Sequence, residues 1–136
     1  IDSQTDMAND IIRKLVDMVE SSKNTKTASS MDRLRGHQLL PSSLAKRIPP
    51  LYSQENVKDP IVYVKFFSAS GVWFALEFDG RDEMFGWVDL GMGGGELGYF
   101  SLLEIDRIRN RMGMPAFERD LYFKPKPLSQ AKSQDR

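Results

Sequence analysis

The stretch from Ile61 to Phe100 constrains the fold more than any other part of this 136-residue chain. It contains both tryptophans and six of the eight phenylalanines. Along Val72–Asp79 every second residue is apolar (Val72, Phe74, Leu76 and Phe78), which predicts a strand with one fully apolar face. Asp79-Gly80 is the strongest hairpin-turn signal in the chain. The stretch therefore predicts an antiparallel sheet.

Two registers are compatible with the Asp79-Gly80 hairpin. A four-residue loop places Phe74 opposite Trp87 and Leu76 opposite Phe85. A three-residue loop instead places Glu77 opposite Glu83, and directly opposed like charges are unfavourable. We therefore expect the longer loop.

Further strands and helices flank this hairpin. We predict strands at Ile61–Phe67, Leu97–Phe100 and Phe117–Phe123. Ser101-Leu-Leu-Glu104 is a capping box that starts a helix ending near Gly113, and a short helix precedes Pro49. The order predicts an α+β fold, in which an antiparallel meander sheet of four to five strands has its helices packed on one face.

The pattern divides the chain into four segments. In residues 1–22 the spacing of apolar residues predicts a separate amphipathic helix, with Met7, Ile11 and Leu15 on one apolar face. Residues 23–38 are polar and basic and predict a flexible linker. Residues 39–128 form the globular domain, and residues 129–136 are a polar tail. The apolar face of the N-terminal helix either packs on the sheet, pairs with a second copy or contacts another protein, and these alternatives remain open.

Composition excludes several kinds of chemistry. The chain has no cysteine, so disulfides, thiolate metal sites and a cysteine nucleophile are excluded. No apolar run is long enough to span a membrane, and no signal-peptide pattern opens the chain, so we expect a cytoplasmic protein. The net charge is zero, but the flanking segments are basic and the globular part is acidic. Such asymmetry is typical of interaction tails and also of ordinary solubility.

Carboxylates on the predicted sheet are the first candidates for a site. Glu77 and Asp79 lie two residues apart on one strand, and Glu96, Glu118 and Asp120 come from strands expected to neighbour it. Such a cluster suits magnesium or manganese, or a paired acid and base. The competing interpretation is a solvated sheet face, so enzymatic activity stays uncertain and we expect no cofactor. The full set of candidate binding residues is Asp59, Glu77, Asp79, Glu96, Glu118, Arg119, Asp120, Tyr63, Trp73 and Tyr99.

Two further patterns and the single histidine are candidates for ligand contacts. The basic residues Arg33, Arg35, Lys46 and Arg47 are candidates for nucleic-acid contacts. The segment 93–98 matches the G-x-G-x-x-G pattern, but a strand rather than a helix is predicted after it, so we interpret it as a hairpin turn rather than a dinucleotide site. The single histidine, His37, is interpreted as a solvated side chain.

The order of several blocks identifies a family resemblance. The runs LLPSSLAKRIPPLYSQENVKDPIVYVKFF, FALEFDG, ELGYFSLLEIDRIR and ERDLYFKPKPL resemble the domain of unknown function 2958 family over about Leu39 to Leu128. The resemblance implies a small bacterial protein encoded on plasmids or integrating conjugative elements, and it carries no catalytic residues.

Together these observations favour a non-enzymatic accessory protein of a mobile element. We expect it to bind another protein, with itself as one candidate through the N-terminal helix, and to counteract host defence, for example by presenting carboxylates where DNA phosphates would lie. The alternatives are nucleic-acid binding through the basic flanks and a divalent-metal-dependent enzyme that uses the carboxylate cluster.

Overall fold

The computed structural model describes residues 11–12 and 31–135. Residues 31–35 are helical and are called α1. The elements that follow are α2 (Ser42–Ala45), β1 (Ile61–Val62), β2 (Val64–Ser68), β3 (Gly71–Phe78), β4 (Glu83–Asp89), β5 (Glu96–Ser101), α3 (Leu102–Arg107), β6 (Glu118–Arg119), β7 (Lys126–Pro127) and α4 (Leu128–Gln134).

The main sheet has five antiparallel strands in the order β5-β4-β3-β2-β6, and β1 pairs with β7 in a separate two-stranded ribbon. The predicted α+β class is confirmed. The predicted first strand is divided at Tyr63, because β1 pairs with β7 while β2 pairs with β3. The predicted fifth strand contracts to Glu118–Arg119, which pairs with Phe66 and Phe67.

A β-bulge at Leu76 modifies the predicted hairpin register. Phe74 pairs with Trp87, as the longer loop predicts, but the pairing shifts after Ala75, so Glu77 rather than Leu76 faces Phe85. A bulge inserts one unpaired residue and changes which face the next side chain occupies. Glu77 therefore lies on the same face as Leu76, and its side chain is buried.

Helices cover both faces of the sheet, which corrects the prediction that they pack on one face. One buried cluster contains Val64, Phe66 and Ile105 with the segment 39–48. A second cluster, on the other face, contains Phe74 and Leu76 packed with Leu128 and Ala131 of α4. The predicted polar tail is thus wrong for residues 129–134, since Leu128 and Ala131, three residues apart, bury one side of a helix.

The predicted linker is also structured where the structure describes it. In α1, Met31 and Arg35 are buried, and Gly36 donates its N–H to the carbonyl oxygen of Asp32 at 2.8 Å. The predicted N-terminal helix lies almost wholly outside the described residues. Its two described residues, Ile11 and Ile12, are helical and more than half exposed.

Turn chemistry explains the remaining connections. The hydroxyl oxygen of Ser101 accepts a hydrogen bond from the N–H of Glu104 at 3.1 Å, so Ser101 caps the start of α3 at the predicted position. The helix ends at Arg107, earlier than predicted. The glycine segment joins β4 to β5 as a hairpin and is followed by a strand, as expected. Gly86 in β4 has a packing role, because a Cβ there would lie 1.8 Å from the carbonyl oxygen of Phe74.

Candidate interaction site

Strand β5 is an open edge of the main sheet among the described strands, since it pairs with β4 alone. Leu97 pairs with Trp87 and Tyr99 pairs with Phe85, so both side chains lie on the face covered by α4. Both are about half exposed, at 51% and 50%. The unpaired N–H and C=O groups of an edge strand provide a template for the addition of another strand, and exposed apolar side chains on it add contact surface.

A groove of about 490 Å³ lies beside Leu97 and Tyr99 on this face. We call it the Tyr99 groove. Strands β3 to β5, the segment 52–60 and α4 all contribute to it, through residues that include Tyr52, Leu76, Phe85, Trp87, Leu128 and Lys132. Its lining is mainly apolar and aromatic with a few polar groups, the usual composition of a binding site.

The buried carboxylate of Glu77 fixes one side of the Tyr99 groove. Its two oxygens accept hydrogen bonds from the N–H groups of Tyr52 at 2.8 Å and Gln54 at 2.7 Å. The Gln54 side chain is bonded in turn to Ile61 and to the carbonyl oxygen of Leu76. Tyr52 has a φ of 71°, which residues other than glycine rarely adopt. Glu77 thus holds Tyr52 in a strained conformation at the surface, where the residue is 63% exposed.

Aromatic side chains and the ammonium group of Lys132 contribute to the chemistry of the groove. The pKa of Tyr99 is raised, first by a hydrogen bond to Tyr52 and then by desolvation. The Lys132 ammonium lies 4.2 Å from the centre of the Trp87 ring, a cation–π contact. The groove therefore offers hydroxyl groups and aromatic faces to a bound segment.

Most of the predicted carboxylate site residues cap backbone groups. Asp59 accepts hydrogen bonds from the N–H and hydroxyl groups of Ser129 at the start of α4, which lower its pKa. Asp79 accepts from the N–H groups of residues 81, 82 and 83 in the hairpin turn. Asp120 accepts from the N–H of Tyr122. Side-chain oxygens of this kind satisfy turn and helix donors, so these carboxylates have structural roles.

The strands do not bring the predicted carboxylate cluster together. Glu96 lies on β5, whereas Glu118 and Arg119 lie on β6 at the opposite edge of the sheet. Four strand spacings separate these edges, roughly 19 Å. Each edge strand also lies two strands away from β3, so the expectation that these strands neighbour that of Glu77 is wrong. No group of three or more potential metal ligands occurs within residues 11–12 and 31–135.

Arg119 and His37 join α1 and its following turn to the sheet. The N–H of Arg119 donates to Nε2 of His37 at 3.1 Å, and the Arg119 guanidinium donates to the carbonyl oxygen of Gln38. Desolvation lowers the pKa of His37, and the Arg119 charge lowers it further. His37 therefore acts as a neutral hydrogen-bond acceptor, not as the solvated side chain that we expected.

This contact predicts a pH-dependent stability. The folded-state pKa of His37 lies below the ordinary histidine pKa of about 6.5. Its stabilising contribution is therefore complete above that pH and is lost as the pH falls from there towards the folded-state pKa. We expect the free energy of unfolding of the wild type to fall over this window relative to that of His37→Gln, which has no titrating group. Urea unfolding of both proteins at matched pH values measures the difference. Parallel pH profiles would contradict this role for His37.

The remaining predicted residues divide by burial. Trp73 packs edge-on against Phe117 with ring centres 4.7 Å apart, and Tyr63 packs against the same core cluster, so of the three aromatic candidates Tyr99 is the exposed one. Of the nucleic-acid candidates, Arg33, Lys46 and Arg47 are exposed. The Arg35 side chain is fully buried and forms ion pairs with Asp32 and Asp106, so it is inaccessible to a phosphate.

Sequence reasoning missed Tyr52, Leu97 and Lys132 as parts of the groove. Leu97 follows the glycine turn and sits two residues before Tyr99, a spacing that predicts a shared face. Lys132 was assigned to the polar tail, although the Leu128 and Ala131 spacing is a weak helix signal. Nothing in the local sequence places Tyr52 beside Tyr99, because their proximity depends on the hydrogen bonds to Glu77.

Comparison with known proteins gives one result. A family model described as "Protein of unknown function (DUF2958)" matches residues 39–133. The match continues through most of α4, beyond the boundary at residue 128 expected from the sequence. No significant match is found among curated proteins or among solved structures. Within the described part of the chain, no helix has the length and hydropathy needed to cross a membrane.

Proposed function

Because the chain belongs to the DUF2958 family, whose description assigns no activity, we propose a function from its geometry: it is a non-enzymatic protein-interaction module. The partner contributes an extended segment that pairs with β5 and inserts side chains into the Tyr99 groove. The observation that carries this proposal is the combination of an open strand edge with half-exposed Leu97 and Tyr99 beside that groove.

The edge and the groove together define the chemistry of the partner. An added strand gains main-chain hydrogen bonds from β5, and pockets for alternate side chains supply specificity. Leu97 and Tyr99 lie two residues apart on one face, so the partner segment places apolar or aromatic side chains at alternate positions on that face. Two acidic residues, Glu55 and Glu77, and two basic residues, Lys58 and Lys132, line the groove, so its selectivity comes from the apolar and aromatic contacts.

The proposed setting is the cytoplasm of a bacterium that carries a mobile genetic element, where such a module would serve as an accessory protein that counteracts host defence. Support for this setting comes from the family resemblance of the sequence. The mechanism does not include mimicry of DNA phosphates, because Asp59, Asp79 and Asp120 are engaged with backbone donors. A competing metal-dependent activity has no supporting cluster among the described residues.

Selection from a displayed library of random peptides tests the proposal. We expect the full chain to enrich peptides with apolar residues at alternate positions over a run of about five residues, the usual strand length. Tyr99→Arg places a second positive charge beside that of Lys132 and removes an aromatic contact. We therefore expect it to weaken binding of an enriched peptide by at least about tenfold, or 1.4 kcal/mol. Binding is measured by fluorescence anisotropy with a labelled peptide.

Tyr122→Arg is the matched control, since Tyr122 is 92% exposed and is not among the residues that line the groove. It should leave peptide binding unchanged. Peptides without alternation, or peptides that bind Tyr99→Arg as tightly as the wild type, would show that the Tyr99 groove is not the binding surface.

A further inference from the structure

Strand β5 lacks the features that keep most edge strands from pairing with another copy of the same chain. Its sequence is ELGYFS, with no lysine, no proline and a single charged residue, Glu96, at its first position. Natural edge strands are usually protected by such charges, by prolines or by bulges. The pairing of β5 with β4 runs without a register shift from Glu96 to Ser101. The edge is therefore regular and suited to pairing.

The helices leave room for a second copy at this edge. On one face α4 lies over β3 and β4, where Leu128 packs with Phe74 and Lys132 contacts Trp87. If two sheets join through β5, the two copies of β4 lie three strand spacings apart, roughly 14 Å. That separation exceeds the helix diameter of about 10–12 Å, so the two copies of α4 do not collide.

The sequence of β5 is complementary to itself about Gly98. A two-fold axis normal to the sheet makes the two strands antiparallel and keeps every residue on its own face. With the axis at Gly98, Leu97 of each copy lies opposite Tyr99 of the other. Aromatic and aliphatic side chains form favourable cross-strand pairs. Both half-exposed side chains of β5 are then covered in both copies.

Charge and apolar contact favour this register over its neighbours. An axis at Gly98 separates the two Glu96 carboxylates by four residues along the strands, roughly 13 Å, which exceeds the screening length of about 8–10 Å. An axis at Leu97 brings these carboxylates to two residues, roughly 7 Å. An axis at Tyr99 leaves one apolar pair, between the two tyrosines, because Leu97 then faces Ser101.

The glycine turn gives space at both ends of the paired strands. In the Gly98 register, Ser101 lies opposite Gly95 of the second copy, and Leu102 at the start of α3 lies opposite its Gly94. These glycines have no side chain to obstruct the approach of the second copy. A Cβ on Gly94 or on Gly98 would have no described atom within 4 Å.

We infer that β5 pairs with β5 of a second copy about a two-fold axis at Gly98, and that a partner segment displaces this second copy. Self-pairing rests on the proposed function, because it uses the same strand edge and regulates access to it. A contact from Glu96 to Phe100 is at the low end of specific interfaces, which associate weakly. The edge is therefore self-paired in concentrated protein and free in dilute protein.

A single introduced cysteine tests the position of the axis, since the chain has no cysteine of its own. A residue on the axis faces its own copy with Cα atoms about 4.5–5.5 Å apart, a distance that a disulfide spans. Gly98→Cys should therefore form a covalent dimer under mild oxidation, at a rate that rises with protein concentration. Glu96→Cys lies too far from its own copy and should react at least about tenfold more slowly.

Tyr122→Cys measures random collision, because Tyr122 is 92% exposed and lies in the turn after β6. It should react as slowly as Glu96→Cys. Equal rates for all three variants would overturn self-pairing through β5. Faster dimer formation by Tyr99→Cys than by Gly98→Cys would overturn the Gly98 register.

Charge substitutions in the Gly98→Cys protein test the same register independently. Leu97→Lys with Tyr99→Lys opposes like charges across the axis and should slow dimer formation at least about tenfold. Leu97→Lys with Tyr99→Glu opposes unlike charges and should restore most of the rate. Because both variants carry two charges at the same positions, recovery by the second shows that the first is folded but unpaired. Equal rates for the two would contradict the pairing of Leu97 with Tyr99.

An enriched peptide distinguishes failure of self-pairing from failure of the proposed function. A saturating peptide on β5 should slow formation of the Gly98→Cys dimer at least about tenfold, since one edge accepts one strand. Peptide binding without a Gly98-specific dimer would overturn self-pairing and leave the proposed function standing. A Gly98-specific dimer in a protein that enriches no peptide would support self-pairing and overturn the proposed function. A dimer whose rate is unaffected by bound peptide would overturn the displacement.

Discussion

Arg35→Ala is expected to lower the free energy of unfolding by about 3–4 kcal/mol, because it breaks a buried charge network. The Arg35 guanidinium donates to the carbonyl oxygens of Phe117 and Asp106 and pairs with the carboxylates of Asp32 and Asp106 at 2.6 and 3.0 Å. These contacts join α1 to the end of α3 and to the residue before β6. Alanine leaves the acceptors without a donor, although both carboxylates are partly exposed and can regain some water, so the loss stays in the lower part of the usual range.

The pH dependence of this loss has a defined sign. Desolvation raises the pKa of Asp106, and the Arg35 charge opposes that rise. Without Arg35 the folded-state pKa rises further, so the protonated form of Asp106 contributes stability at low pH that is lost as the pH rises through that pKa. The deficit of Arg35→Ala should therefore be smaller at acidic pH than at pH 7. Chemical denaturation of the wild type and the variant at both pH values measures it.

Lys46→Ala is the control for Arg35→Ala. Lys46 is an exposed cation, and surface substitutions of this kind usually change stability by less than about 0.5 kcal/mol. A loss for Arg35→Ala no larger than that of Lys46→Ala would contradict the structural role of Arg35. Arg35 would then again be a candidate for nucleic-acid contacts.

Glu77→Ala should produce the second large loss, about 2–4 kcal/mol. It removes the acceptor for two backbone N–H groups, those of Tyr52 and Gln54, and an unsatisfied buried donor costs about 1–3 kcal/mol. The nearby exposure of Tyr52 lets water replace part of the interaction. Thermal unfolding and urea titration both report the loss.

Glu77→Ala should also weaken peptide binding, because Tyr52 loses the contact that holds it at the rim of the groove with a φ of 71°. Glu96→Gln is the matched control, since Glu96 is an exposed carboxylate on β5 with a structural environment unlike that of Glu77. We expect it to retain wild-type stability. If Glu77→Ala were as stable as Glu96→Gln, Glu77 would not organise the segment 52–54.

Local patterns were sufficient for the elements whose residues are close in sequence. The alternation along Val72–Asp79 and the Asp79-Gly80 turn predicted the central hairpin, and the pairing of Phe74 with Trp87 followed from charge repulsion in the alternative register. The capping box at Ser101 predicted the start of α3. These signals act over a few residues and do not depend on tertiary contacts.

The remaining features depend on contacts that are distant in sequence. The bulge at Leu76 places Glu77 on the face where Tyr52 and Gln54 require an acceptor, and no local pattern announces it. Asp59 caps α4 across 70 residues, and Arg35 reaches Phe117 across 82. A sequence pattern cannot distinguish such a carboxylate or guanidinium from a functional one. For this reason the carboxylates predicted to form one cluster instead accept hydrogen bonds from backbone groups at separate turns and helix ends.

The candidate site shows the same division. Tyr99 was predicted as a binding residue because it is an aromatic residue on a predicted strand, as Tyr63 and Trp73 are. Its partner Leu97 follows from the period of the strand. Tyr52 and Lys132 enter the groove through the buried hydrogen bonds of Glu77 and through α4, whose polar sequence resembles a tail. The edge position of β5 follows from the strand order, which the sequence alone did not determine.

Amide hydrogen exchange of the full chain, with and without a saturating enriched peptide, tests most directly whether a partner segment adds to β5. Strand addition gives hydrogen-bond partners to the outward-facing amides of β5, since alternate residues of an edge strand point away from the sheet. We expect alternate amides within Glu96–Ser101 to exchange at least about tenfold more slowly when the peptide is bound, while Glu118–Arg119 at the opposite edge is unchanged. Protection elsewhere with none in β5 would contradict it.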